Sequence, residues 1–263
     1  MKISFVLVFT FFSICVYAQN LRDNFNYKAT YKLTFSLDST ETGKPMTEVM
    51  ILFLGNNTSV FSSRAKTIAN EPIVLGNSGH TSKTAVTKFQ YVLIKDYKRD
   101  LLYYTRQIIN DFFYYEQPKD ICTWQLSVEK KTINDYTAQK ATTTFSGREY
   151  VAWFTTEIPI MDGPYKFSGL PGLIIELYDS QNHYHFELIG FEKLDPNPSF
   201  KTNLKHYIHT DKETFQNTEL RYRRDPFSYS KNPNITITPE VHKKYIESFA
   251  EMLEKENNPI ERE

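Results

Sequence analysis

Apolar and polar residues alternate over residues 27–36. Tyr27, Ala29, Tyr31, Leu33 and Phe35 fall on one face of an extended chain, and Lys28, Thr30, Lys32, Thr34 and Ser36 fall on the other. A period of two is the mark of a half-buried strand. Comparable runs predict strands over residues 48–54, 58–62, 86–95, 100–106, 111–116, 123–131, 137–145, 148–157, 172–178 and 184–193. Asp38-Ser39-Thr40, Gly55-Asn56-Asn57, Asp96-Tyr97-Lys98 and Ser180-Gln181-Asn182 separate them as hairpin turn signals. Consecutive hairpins imply an antiparallel sheet.

Residues 63–84 break this rhythm. A short helical pattern at 64–70 runs into Gly76-Asn77-Ser78-Gly79, which reads as an excursion between strands. Toward the C-terminus the period changes. Residues 211–224 are polar with mixed charge and suit a short helix. Thr238 and Pro239 supply a cap and a first-turn proline, and Val241, Tyr245, Phe249, Met252 and Leu253 then recur at helical spacing. The spacing predicts an amphipathic helix over 239–255. Its polar face mixes Lys243 and Lys244 with Glu247 and Glu251, so the apolar stripe is expected to pack on the sheet rather than on a membrane.

Aromatic residues make up 15% of the chain, with 20 Phe and 18 Tyr, and many fall in the predicted strands. A single flat sheet would expose too many of them. Curling it around its aromatic face and closing the open side with the terminal helix would bury them. The expected fold is therefore mainly β: an antiparallel curved sheet, a half-barrel or open barrel, with a C-terminal amphipathic helix.

Residues 1–18 begin with Lys2, continue as an apolar run and end in Val16-Tyr17-Ala18, the form of a secretory signal peptide cleaved after Ala18. Cys15 offers a lipid attachment point, but Phe12-Ser13-Ile14 lacks the small residues such a site needs, which favours cleavage. Downstream no stretch reaches the roughly 18–20 apolar residues of a spanning helix. Residues 19–263 are thus expected to form one exported domain in the periplasm, cell envelope or extracellular space, helical from about residue 205. Basic and acidic groups are equal at 31 each, and the signal removes only Lys2, leaving about one negative charge. The cations are interleaved with carboxylates and build no phosphate-binding stripe, which argues against nucleic acid. With Cys15 removed, Cys122 has no partner for a disulfide within the chain, and between Ile121 and Thr123 it reads as a small buried hydrophobe.

The most distinctive local sequence is Gly169-Leu170-Pro171-Gly172-Leu173-Ile174. Pro171 suits the second position of a type II turn and Gly172 the third. The apolar run that follows reads as a strand leaving the turn. Together with Trp124-Gln125-Leu126, Lys140-Ala141-Thr142, Gly147-Arg148-Glu149-Tyr150-Val151-Ala152-Trp153-Phe154-Thr155, Glu157-Ile158-Pro159 and Gly163-Pro164, this hexapeptide resembles the GLPGLI family of Bacteroidetes envelope or secreted proteins. The resemblance runs over roughly residues 30–194 and is most specific over 124–179. It implies a β-rich domain at the periplasm or surface of a Gram-negative cell, and it carries no established activity.

Candidate chemistry is sparse. Gly76-Asn77-Ser78-Gly79-His80 has the form of a serine-protease nucleophile loop, but such a site needs a histidine far upstream and His80 is the first in the chain. His183 with His185, and His206 with His209, could pair locally, without the Cys or carboxylate pattern of a metal signature. Glu149, Glu157 and Asp162 flank Trp153 and Tyr165, as carboxylates do around sugar-cleaving sites, where two must face each other about 5–10 Å apart. None of these completes a catalytic or metal-ligand set, and no motif calls for a cofactor. The densest binding candidate is Trp153, Tyr165, Phe167, Leu170, Pro171 and Leu173. It is either core packing or the lip of a cleft for an acyl chain or extended peptide, with Arg148 and Lys166 as anchors for a carboxylate or phosphate. The expected role is non-catalytic binding of an apolar or peptidic ligand. Hydrolysis of envelope polymers and docking to an outer-membrane protein partner are the alternatives.

Overall fold

The computed structural model describes residues 20–40, 44–69, 87–229 and 237–262. The signal segment 1–18 and the 76–80 loop lie outside the described residues. Strands β1 (Asn20–Phe35), β2 (Met46–Gly55), β3 (Thr58–Ser63), β4 (Tyr91–Asp96), β5 (Leu101–Ile108) and β6 (Asp111–Pro118) form one run of hairpins. Strands β7 (Gln125–Ile133), β8 (Tyr136–Phe145), β9 (Arg148–Thr155), β10 (Leu173–Asp179) and β11 (Tyr184–Lys193) form a second. The two runs join where β1 pairs antiparallel with both β2 and β11, with Leu33 opposite Glu48 on one side and Phe186 on the other. The result is one large open sheet whose path ends at β7 and at the two-residue β13 (Ile208–His209). β12 (Ser199–Asn203) pairs with the start of β1, off that path. Neither β12 nor β13 is among the predicted strands, and β13 is too short to leave a periodic signal in the sequence.

The alternation read from the sequence decides which side chains share a face. Ala29, Tyr31, Leu33 and Phe35 join Leu52, Phe61, Leu93, Tyr104, Tyr115, Tyr150 and Phe186 in one inner core. The alternate positions Ile51, Phe53, Val60, Ile94, Tyr103 and Tyr114 belong to an outer cluster, covered by Phe200 of β12 and Leu204. Strand β4 starts at Tyr91 rather than 86. Ahead of it the Glu48 carboxylate accepts the Lys88 N–H at 2.7 Å and the Thr87 hydroxyl at 2.5 Å, in place of ladder bonds.

What fills the sheet differs from expectation. Helices α1 (Arg64–Ala69), α2 (Lys212–Arg224) and α4 (Pro239–Glu254) occur where the sequence predicts helix at 64–70, 211–224 and 239–255, and the single turn α3 (Pro226–Tyr229) lies between the last two. Asp211 caps α2 by accepting the Thr214 N–H at 2.7 Å, and Thr238 caps α4. The terminal helix α4 does not pack its stripe on the sheet: none of its residues is buried, and Val241, Tyr245, Ile246 and Met252 are exposed. Its contacts are with α2 and with Phe227, whose ring lies 4.8 Å from that of Tyr245. The inner face is already occupied, by Phe215 of α2, by the loop 156–172 between β9 and β10, and by the tail 256–262 after α4.

The hexapeptide belongs to that loop, and its turn is tighter than the expected type II form. Leu173 N–H donates to Ile158 O at 3.0 Å rather than to Leu170 O, and Gly172 N–H donates to Leu170 O at 2.8 Å. Pro171 is thereby wrapped in a three-residue turn. Gly172 has φ +155°, and a Cβ there would lie 2.0 Å from Thr155 O. Gly169 has φ +91° with its nearest neighbour 3.7 Å away. Gly172→Ala is therefore expected to cost about 2–4 kcal/mol through backbone collision. Gly169→Ala meets only conformational strain and should cost about 1–2 kcal/mol. Urea denaturation midpoints at unchanged m-value measure both; equal losses would contradict this assignment.

Candidate functional site

The loop 156–172 enters the curl of the sheet because one carboxylate is neutralised there. Alternation along β4 puts Lys95 on the inner side with Tyr91 and Leu93, and Ser59 follows the same rule on β3 beside Phe61. Lys95 Nζ donates to Asp162 Oδ1, to Gly163 O at 3.0 Å and to Phe167 O at 3.0 Å. Asp162 Oδ1 also accepts the Gly163 N–H at 2.6 Å, while Oδ2 accepts the hydroxyls of Ser59 at 2.5 Å and Tyr97 at 2.6 Å. All three ammonium donors and four carboxylate acceptor positions are in use. Both side chains are essentially inaccessible, at 1% and 0% exposure. A charge pair so enclosed persists only when every polar atom is satisfied.

Pinned at Asp162, the loop delivers its aromatic residues to the core. Phe167 lies 4.7 Å from the Tyr150 ring and 5.2 Å from that of Phe145, and Tyr165 lies 5.4 Å from Tyr91. Trp124, on the connection from β6 to β7, donates to Ser168 O at 2.8 Å and ties the loop's far end. Between Tyr165 and Phe167, Lys166 is left pointing at Tyr115 OH and Gln117 Oε1, each 3.1 Å from its Nζ.

The two cations singled out as anchors, Arg148 and Lys166, are both inside the molecule and both hold the chain's own C-terminal tail. Arg148 Nη1 donates to Asp179 Oδ2 at 3.0 Å, and Nη2 donates to Asn258 Oδ1 at 2.5 Å and Pro259 O at 2.6 Å. Lys166 Nζ pairs with Glu261 Oε1 at 2.5 Å; Tyr165 OH donates to the same carboxylate, and Lys212 of α2 closes on Oε2 at 2.9 Å. The backbone between is held as well. Asn258 N–H donates to Leu37 O at 2.9 Å, Tyr184 OH to Asn258 O at 2.7 Å, Tyr150 OH to Ile260 O at 3.2 Å, and Arg262 N–H to Ser146 O at 3.1 Å. Asn258 Nδ2 donates to Ser36 O at 2.7 Å, and Ile260 enters the inner core. The tail is held by side chains and by carbonyls just past the strand ends.

The remaining candidates divide. Tyr165, Phe167, Leu170 and Leu173 are core residues and Pro171 is exposed, so the hexapeptide region packs rather than opens on solvent. Trp153 belongs to the same core; the Lys131 ammonium sits 4.3 Å over its ring and its Nε1 has no hydrogen-bond partner. Glu149 and Glu157 are exposed beyond opposite ends of most of β9, roughly 20 Å apart along the strand, and Asp162 is committed to Lys95. The three carboxylates do not face one another across a cleft. His183 lies beside Arg148 and burial lowers its pKa, which suits a neutral ring accepting from the guanidinium. His185 instead pairs with Glu176 at 3.1 Å, and His209 stacks on Tyr114. Among the described residues no group of three or more His, Cys, Asp or Glu could hold a metal ion. Burial pushes the Cys122 thiol up to about 12, far from a reactive thiolate. On the outer face an apolar groove bordered by Val60, Ile94, Phe112, Phe200 and Tyr207 has a volume of about 40 Å³, enough for a few waters and not for an acyl chain.

Sequence reasoning missed Asp179, Tyr184, Asn258 and Glu261. The available signal was slight: Asn257-Asn258-Pro259-Ile260 places one aliphatic residue in a polar segment after a helix, where a fraying end would carry none.

Comparison with known proteins adds a family segment and a fold. A family described as "Protein of unknown function (Porph_ging)" matches residues 146–176, which contain Arg148, Asp162, Lys166 and the hexapeptide. No curated protein matches. The structure of PNGF-II in space group C2 aligns with a TM-score of 0.54 at 14% identity over 76% of this chain and 33% of that one. Its P21 form aligns with the same score and identity over 34% of its length. This chain therefore spans about a third of the PNGF-II chain, and the likeness is one of fold. Among the described residues no helix is long and apolar enough to cross a membrane.

Two expectations follow. Lys95→Met strands the Asp162 carboxylate and Asp162→Asn strands the Lys95 ammonium, so each should cost about 3–5 kcal/mol, and the double variant should cost clearly less than their sum. Additive losses in chemical denaturation would refute the pairing. The second concerns pH. Burial raises the Glu261 pKa, but Lys166, Tyr165 and Lys212 outweigh it and hold the carboxyl below the usual range. A depressed folded-state pKa gives stability that is complete above the unfolded value of about 4.3 and is lost as pH falls through the folded one. The stability gap between the wild type and Glu261→Gln should thus be widest near neutrality and close under acid. A gap unchanged down to about pH 3 would contradict it.

Proposed function

We propose that this is an exported envelope protein of the GLPGLI type whose curled sheet holds an extended peptide without transforming it. The observation that carries the reading is the grip of Arg148 and Lys166 on residues 258–261, which uses the chemistry by which a peptide is bound: guanidinium to backbone and side-chain carbonyls, ammonium to carboxylate. A peptidic ligand fits this surface better than an acyl chain, because the loop and the rings around it leave polar groups along the path of the tail. The hydrophobic form of the signal segment and the GLPGLI resemblance support export. In this reading the tail is a resident occupant of a site that also accepts a segment from elsewhere.

A tethered tail competes at an effective concentration in the mM range, so the site has to be tested with that competitor weakened. A full-length Asn258→Ala/Glu261→Gln variant, first shown by its cooperative melt to be folded, is titrated with a labelled peptide of residues 256–262 and followed by fluorescence anisotropy. Saturable binding that the wild type resists is the expected result. No saturation up to about 1 mM peptide would refute the reading.

A further inference from the structure

Two sides of the terminal helix α4 meet different surroundings. His242, Phe249 and Leu253 are half-buried on the side that meets the rest of the chain, where His242 Nε2 lies 3.0 Å from Asp225 Oδ1 and the Phe249 ring 6.4 Å from that of Phe227. On the adjoining side Val241, Tyr245, Ser248 and Met252 recur at intervals of four, three and four. That spacing is the seam of a helix that packs lengthwise on a second helix. All four are exposed, with Val241, Tyr245 and Met252 at 43%, 45% and 38%. Ser248 leaves room beside the large Tyr245 ring, so the seam alternates bulk with space.

Charge decides what fits this seam. Lys243 and Lys244 stand in the first half of α4, and Glu247, Glu251 and Glu254 stand in the second. The last turn holds no basic residue, with Lys255 only at the cap, although the helix dipole favours cations at that end. Lys243 pairs with Glu247 inside the helix at 3.9 Å. Lys244 and Glu251 border the seam, and among the described residues neither makes an ion pair. A parallel copy of α4 would set like charges side by side. An antiparallel copy sets cation against anion at both ends: Lys244 of each copy faces Glu251 of the other, Tyr245 meets Ser248, and Val241 meets Met252. One patch is thus complementary to itself, as a two-fold interface requires. A membrane surface suits the helix less well, since Glu240, Glu247, Glu251 and Glu254 outnumber its lysines. We propose that α4 docks a second copy of this chain, antiparallel across a two-fold axis, through Val241, Tyr245, Ser248 and Met252 and two reciprocal Lys244–Glu251 contacts. This surface stands whether or not the tail's site accepts a peptide.

Sedimentation equilibrium of the whole protein over about 1–200 μM tests this. The wild type is expected to be a reversible dimer with a micromolar dissociation constant, as suits a contact of one helix about 24 Å long from each copy. Lys244→Glu and Glu251→Lys each make both charge contacts repulsive and should weaken the dimer about tenfold or more. Mixed in equal amounts, the two variants again set opposite charges face to face, and association should return to the wild-type level as a heterodimer. Such recovery also excludes misfolding of either variant. A monomer at every concentration, or a dimer that neither variant weakens, would overturn the proposal. So would two variants that melt like the wild type, dimerise poorly alone and fail to recover on mixing. A monomer that cosediments with phosphatidylglycerol vesicles would overturn it in favour of a membrane surface. If either charge variant melts without cooperativity, Val241→Ser/Met252→Ser replaces the pair, and a loss of about tenfold is again required.

Discussion

The ion pair between Lys95 and Asp162 lies where an uncompensated charge would be intolerable, and the inner half of the molecule depends on it. A curled sheet of aromatic strands leaves a deep apolar hollow, and here a loop rather than a helix fills it. The loop carries polar backbone into the core, which is permissible only when its carbonyls and amides find partners. Lys95 satisfies the carbonyls of Gly163 and Phe167 as well as the carboxylate. From that fixed point Tyr165 and Phe167 turn into the aromatic core, and Lys166 between them is aimed at the tail. The order of dependence runs from β4 to the loop, from the loop to Lys166, and from Lys166 to Glu261.

A second buried pair, Arg148 with Asp179, repeats the device on the other half of the sheet. Asp179 also accepts the Tyr184 N–H at 2.7 Å, so the β10 to β11 turn is locked to the start of β9. The guanidinium then has its second nitrogen free for Asn258 and Pro259. Arg148 at the start of β9 and Lys166 on the loop that follows it thus present two cations to the same segment. Such pairs are weak evidence for stability, since well-packed hydrophobes of the same size often do as well. They fix geometry, here the placement of the chain's own residues 258–261. The 146–176 segment matched by the family of unknown function contains Arg148 and Lys166.

Much of the fold was legible because the inner and outer faces of the strands obey one alternation. Tyr31, Leu33 and Phe35 read as buried and are buried. Thr238 and Pro239 marked the start of α4 correctly. The terminal helix nevertheless stays outside the sheet, since amphipathic spacing gives the width of an apolar stripe and not what covers it. The hexapeptide turn was misassigned because Leu173 N–H finds Ile158 O, a partner 15 residues away that no local rule anticipates. Arg148 and Lys166, expected to anchor a ligand, are instead committed to groups of the chain itself. Those groups were not legible, because Asn258 and Glu261 lie 110 and 95 residues further along and are brought in only by the completed sheet.

Docking of the tail in the curl of the sheet is the claim on which the functional reading stands. Its most direct measurement is amide hydrogen exchange at Asn258 and Arg262, whose N–H groups donate to Leu37 O and Ser146 O. If the tail is held as described, both amides exchange at least about 100-fold more slowly than in the isolated peptide. Exchange at the peptide's own rate, in a protein whose β-strand amides remain protected, would contradict the account.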